Sequence, residues 1–111
     1  MQITHLSDKP LTTTAHKQEI WKKVLIGGGE VPHLTQYAVA KLKPGQVVEE
    51  HFHSDMYEVF FVVSGSGKII VNGEEQQIST GTVFTMEPND VHCVENIGRE
   101  DLVLQYFGVL K

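Results

Sequence analysis

The chain is predicted to be an all-β, antiparallel sandwich or barrel. Three observations carry that expectation. β-Branched and aromatic residues gather in short runs such as "YEVFFVV" and "DLVLQYFGVL". Clusters of Gly, Pro and Asn separate the runs at intervals of roughly 8–12 residues. Asn72-Gly73, between "KIIV" and "EEQQI", supplies the two positive-φ residues of a type I′ hairpin turn.

The elements follow in chain order. Residues 1–14 are polar and turn-rich and read as a loose lead-in. Ala15 to Ile26 is open between two forms. Ile20, Trp21, Val24 and Leu25 share one face of a helix, yet Ile20 to Ile26 also reads as a short strand. "GGGE" at 27–30 ends either form. "LTQYAVAKL" then runs as a strand into the "KPG" turn at 43–45. "YEVFFVV" is apolar on both alternating faces, which predicts burial on both sides. After the Asn72-Gly73 hairpin come "TGTVFTM", the turn "EPND", "VHCVEN" and the closing run "DLVLQYFGVL".

Composition narrows the function classes. The 111 residues suit one domain and carry a formal charge of -5, with Arg99 the single arginine. Tracking of nucleic-acid phosphates or of an anionic membrane surface is therefore disfavoured. Cys93 is the single cysteine, so no intramolecular disulfide is needed. No apolar run has the length of a signal-peptide core or a membrane span, and a cytoplasmic protein is expected.

Chemistry concentrates in "PGQVVEEHFHSDMYEVFFVVSG". Residues i and i+2 of a strand share a face, so His51 and His53 aim together while Phe52 aims away. Glu58 follows the polar "SDMY", and a hairpin return is expected to bring it back beside them. His92 opens a later β-type run, with Val94 and Asn96 on its face and Cys93 and Glu95 opposite. If the sheet curls to bring that run alongside, three imidazoles and a carboxylate converge. Such a set suits Fe, Mn, Ni, Zn or Cu and leaves positions for water, oxygen or substrate.

These residues resemble the two conserved motifs of the cupins. Gly45, His51, His53, Glu58 and Gly65 match the first motif at every spacing. Gly81, His92 and Asn96 match the second. Glu87 stands where that motif has proline, and Asn89 where it has glycine; Pro88 lies one residue late, and Asn tolerates the left-handed conformation. The resemblance covers residues 35–109, taken as the barrel core of one domain over 1–111, and is to small single-domain cupins. It implies a double-stranded β-helix, or jelly roll, with the metal inside. It implies metal ligation by His51, His53, Glu58 and His92 and turn roles for Gly45, Gly65 and Gly81. It also implies a homodimer, with residues 1–34 as a lead-in open to strand exchange.

Other residues carry weaker expectations. His5, His16 and His33 fall outside the pattern and read as surface or loop residues. Cys93 reads as a small buried hydrophobe. Tyr57 is open between packing and the cavity mouth, and Gln105 between an inward contact and solvent. Trp21 is expected at an edge or a subunit contact. Phe60 and Val62, with Phe84 or Phe107, are expected to line the barrel.

The function expected first is a metal-dependent dioxygenase acting on a small organic substrate, with Glu58 able to double as a base. The alternatives are a metal-dependent isomerase, lyase or decarboxylase of a sugar or small acid, and a non-enzymatic ligand-binding module. Most of the lysines read as strand-flanking and Arg99 sits in a turn, which argues mildly against phosphorylated substrates.

Overall fold

The computed structural model describes residues 1–13 and 19–111. Among these residues there are ten strands and a 3-10 turn at Leu6–Asp8, and no α-helix. Among the described residues no helix is long and apolar enough to cross a membrane. The strands are β1 (Leu11–Thr13), β2 (Trp21–Ile26), β3 (Leu34–Leu42), β4 (Val47–His51) and β5 (Met56–Ser64). They continue with β6 (Ser66–Val71), β7 (Glu74–Ser79), β8 (Val83–Met86), β9 (His92–Glu95) and β10 (Leu102–Leu110).

Two antiparallel sheets form the jelly roll, in the orders β1-β2-β3-β10-β5-β8 and β4-β9-β6-β7. Alternation along each strand sends one set of side chains into the space between the sheets. On β10, Leu102, Leu104 and Tyr106 point inward; on β3, Ala38, Ala40 and Leu42 do; on β5, Glu58, Phe60 and Val62 do. Register aligns these positions. Leu104 lies between Ala40 and Val62, and Tyr106 between Ala38 and Phe60. Ile69, Ile78 and Val94 close the core from the smaller sheet. Phe60 stacks between Phe84 and Tyr106, with ring centres 4.8 and 5.1 Å away.

The Asn72-Gly73 turn forms as expected, with φ of 50° and 82°. Asn89 takes a left-handed φ of 72°, so it fills the place of the motif's glycine without forbidden geometry. Gly65 has no substitute of that kind: a Cβ there would lie 2.4 Å from the Asp101 carbonyl oxygen. Residues 21–26 are a strand, which settles the helix-or-strand question for them; Ala15 to Gln18 lie outside the described residues.

Three expectations are corrected. The lead-in contains β1, which pairs with β2 and so joins the larger sheet. β5 is buried on one face only, because its outer face meets no second layer; Phe61 and Val63 are 41% and 43% exposed. Phe107 points outward with Gln105, into a shallow hollow lined also by Tyr37 and Phe61. Gln105 donates from Nε2 to the Tyr37 hydroxyl, so its open question resolves to the outer face.

Asn96 fastens the end of β9 to its neighbours. It is 1% exposed, donates from Nδ2 to the carbonyls of Leu42 and Glu100 at 2.8 Å, and accepts from the Gly98 N–H at 2.9 Å. Replacing it strands buried carbonyls. Asn96→Ala is expected to lower the unfolding free energy by about 2–4 kcal/mol in urea titration; an unchanged midpoint would contradict this role.

Candidate metal centre

β4 pairs with β9 so that His51 lies directly opposite His92. The expected joining of these two strands therefore occurs. The expected hairpin between β4 and β5 does not: β5 belongs to the other sheet. Residues 52–55 cross between the sheets through a bend at Ser54 and Asp55. The Asn89 N–H donates to the His53 carbonyl at 2.7 Å, which ties this crossing to the 87–90 turn. Glu58 thus reaches the histidines from across the barrel, as the third residue of β5 and not as its first.

The four side chains converge. One donor atom from each of His51, His53, Glu58 and His92 lies within 4.8 Å of the others. The His51 ring centre stands 5.2 Å from that of His53 and 4.3 Å from that of His92. Glu58 Oε1 is 3.4 Å from His53 Nε2 and 3.5 Å from His92 Nε2. Glu58 is 6% and His92 1% exposed, so a carboxylate and an imidazole are held almost out of water.

Backbone carbonyls fix the ring tautomers. His51 Nδ1 lies 2.8 Å from Glu49 O, and His92 Nδ1 lies 2.8 Å from Asp90 O. A carbonyl only accepts, so each Nδ1 carries the proton and each neutral ring keeps its lone pair on Nε2. Asp90 is itself held: Asn72 Nδ2 donates to one carboxylate oxygen at 3.0 Å and the Glu87 N–H to the other at 2.9 Å. These bonds keep its carboxyl below the usual range.

Two atoms in this cluster are orphaned. Glu58 Oε1 and His92 Nε2 are buried without a hydrogen-bond partner. Buried polar atoms rarely go unpaired, and an ion is one of the standard reasons. Two donors on a shared ion, each roughly 2.0–2.2 Å from it, stand at most about 4.4 Å apart. A contraction of a few tenths of an ångström would bring the observed set to that span.

A cavity of about 560 Å³ opens beside the cluster. Phe60, Val94 and Leu104 supply apolar wall, whereas Lys22, Gln36 and Tyr106 supply polar groups. Lys22 carries no site role in the sequence alone, yet it lines this cavity. Burial lowers its pKa, opposed by the charge of Glu58. Burial, reinforced by Glu58, pushes the Tyr106 phenol well above its usual value.

The remaining sequence candidates lie elsewhere. Tyr57 is exposed and does not line the cavity. Cys93 faces away from the cluster, half-buried, and burial raises its pKa, which disfavours a reactive thiolate. His5 and His33 are exposed, His5 capping the Leu6–Asp8 turn; His16 lies outside the described residues. Trp21 is half-buried beneath the Lys41 ammonium, 4.5 Å from the ring centre.

Once any metal is removed, His92 makes the cluster pH-sensitive. Burial, the largest influence, pulls its pKa down. The nearby Glu58 carboxylate, the hydrogen bond to the Asp90 carbonyl and the charge of Asp90 together outweigh burial and leave it raised. A raised native pKa means that folding tightens proton binding. The resulting stabilisation is complete below the unfolded value of about 6.5 and is lost as pH rises through the native value. Chelator-treated protein should therefore lose stability as pH rises above about 6.5, and His92→Gln should flatten that slope. A slope of the opposite sign in urea titrations would contradict the assignment.

Comparison with known proteins agrees with this architecture. The family model described as the cupin domain matches residues 38–108. The oxalate-binding protein of Thermotoga maritima is 33% identical over 66 residues, which are 60% of this chain and 54% of that protein. The chain thus spans about half the length of that curated relative. A crystal structure described as a predicted oxalate decarboxylase, also from Thermotoga maritima, superposes with a TM-score of 0.91. That match is 23% identical and covers 99% of this chain and 100% of the other. The polyketide cyclase RemF of Streptomyces resistomycificus superposes at 0.82 with 15% identity, over 98% of this chain and 79% of the other. At these identities the solved structures speak to the fold alone. With the family model spanning most of the barrel, the chain belongs to the cupin family.

Proposed function

We propose that His51, His53, Glu58 and His92 hold one divalent transition-metal ion, and that the adjoining cavity takes a small organic acid. The observation that supports this most is the pair of buried, unpartnered atoms, Glu58 Oε1 and His92 Nε2, facing each other inside the cluster. Imidazole nitrogens with one carboxylate suit Fe, Mn, Ni, Zn or Cu. When bound, such an ion acts as a Lewis acid toward an oxygen of the ligand.

The protein's own groups perform the rest. The Glu49 and Asp90 carbonyls hold His51 and His92 with Nε2 inward. Glu58 offers a shielded carboxylate that can take a proton from the ligand. The Phe60, Val94 and Leu104 walls limit water. The name of the curated Thermotoga relative, an oxalate-binding protein, favours an acid as the ligand and the lyase or decarboxylase class over the dioxygenase class. The dioxygenase reading rests on the donor set alone.

A homodimer belongs to the same proposal. The outer face of the larger sheet carries an apolar hollow of about 390 Å³, lined by Ile26, Leu34, Val59 and Phe61 among others. That surface suits a second copy. Sedimentation over a range of concentrations should show a dimer; a monomer throughout would contradict it.

Metal analysis of the purified protein tests the main reading. His92→Ala should lower metal affinity by at least about tenfold, as loss of a ligand does. Unchanged metal content would refute the four-ligand assignment. With metal bound, carbon dioxide release from small acids without oxygen uptake is expected. Oxygen uptake instead would favour the dioxygenase class, and saturable binding without turnover would favour the binding module.

A further inference from the structure

Lys22 is the feature of the cavity that metal binding does not use. Just after the buried Ile20, β2 sets Lys22 opposite Ala40 and Val24 opposite Ala38, on the inner face of the sheet. The small side chains of Ala38 and Ala40 on β3 leave room for the lysine to lie inside. It lines the same cavity as His51, His53, Glu58 and His92. Its ammonium stands 5.8 Å from the centre of the Tyr106 ring, whose other neighbour is Phe60. Among the described residues no carboxylate forms an ion pair with it.

An ammonium held partly out of water with no ion-pair partner costs solvation free energy. Stability alone gives no reason to keep it there, because a methionine of similar length would fill the space. A cation on the wall of a ligand cavity, apart from the metal donors, is placed to receive an anion.

We propose that Lys22 binds a second acidic group of the ligand, the one not held at the His/Glu cluster, so that the cavity selects small diacids over their monoacid analogues. This rests on the metal-site reading above, which supplies the anchor for the first acidic group. Lys22 acts as a specificity-determining residue. Tyr106 and Phe60 then form the apolar surface on which the carbon skeleton between the two acidic groups lies. The cavity volume of about 560 Å³ exceeds what a two-carbon anion fills, which favours a longer skeleton.

The test compares malonate, succinate and glutarate, each with its monoamide, by calorimetry on metal-loaded wild type, Lys22→Met and Lys22→Arg. The monoamide keeps the shape and removes one charge. Wild type should bind at least one diacid about tenfold or more tightly than its monoamide, the size expected for a hydrogen bond to a charged group. Lys22→Met should abolish that preference at unchanged metal content, and Lys22→Arg should retain it. Lys22→Met removes an unpaired, partly buried charge and should fold at least as stably as wild type.

A second readout does not need the metal. In chelator-treated wild type, the preferred diacid should shift the Lys22 ε-methylene resonance, and its monoamide should not. Metal absent from wild type, with that shift present, would refute the metal reading and leave Lys22 standing. Metal bound equally in all variants, with no diacid preference in wild type or an equal preference in Lys22→Met, would overturn the Lys22 proposal alone.

Discussion

A buried carboxylate facing three imidazoles is the constraint on which the structure depends. Glu58 sits on β5 of the larger sheet, whereas His51 and His92 sit on paired strands of the smaller one. A carboxylate taken out of water is costly unless positive charge or donors meet it. Here the inner faces of both sheets turn polar at the same level, and the carboxylate meets imidazole nitrogens across the gap, a set that needs a cation or a proton between its members. The fold's task at this end of the barrel is to hold those groups at fixed separation. The Glu49 and Asp90 carbonyls, the Asn72–Asp90 bond and the Asn89 bond to His53 all serve it.

The rest of the interior shows how one barrel holds both a core and a cavity. Aligned inward residues from β3, β5 and β10 pack Leu42, Val62, Leu102 and Leu104 into an apolar layer whose Leu42 and Leu104 border the cavity. Further along the same strands the inward positions become Gln36, Glu58 and Tyr106, and the cavity opens. The switch from apolar to polar inward residues needs no change of backbone. It needs only that the strands be long enough to run past the core, as β3, β5 and β10 are.

Much of this was legible in the sequence. The alternation, the Asn72-Gly73 turn and the spacing of His51, His53, Glu58 and His92 pointed to the fold and the cluster. What could not be read was which strands pair. Residue spacing is blind to sheet membership, so Glu58 was assigned to a hairpin with β4 when the chain in fact crosses to the opposite sheet. The burial of β5 was overestimated because Phe61 and Val63 are apolar residues on an outer surface, where composition gives no warning. Lys22 was missed for a specific reason. "IWKKVLI" fits helical and strand periods alike, and only the strand period turns Lys22 inward between Ile20 and Val24. Gln105 and Phe107 needed the register of β10 before their direction was fixed.

The fold does not name the reaction. Barrels of nearly the same shape bear descriptions as different as a predicted oxalate decarboxylase and a polyketide cyclase. What bears on the reaction in this chain is local: the His/Glu cluster, the cavity walls and the lysine. The central claim is that the cluster is a coordination sphere and not a buried hydrogen-bond knot. X-ray absorption at the metal edge of the purified protein tests that most directly. The account predicts an inner shell of nitrogen and oxygen at roughly 2.0–2.2 Å with multiple-scattering features of imidazole. A bound metal whose spectrum shows oxygen neighbours only, without imidazole features, would contradict it.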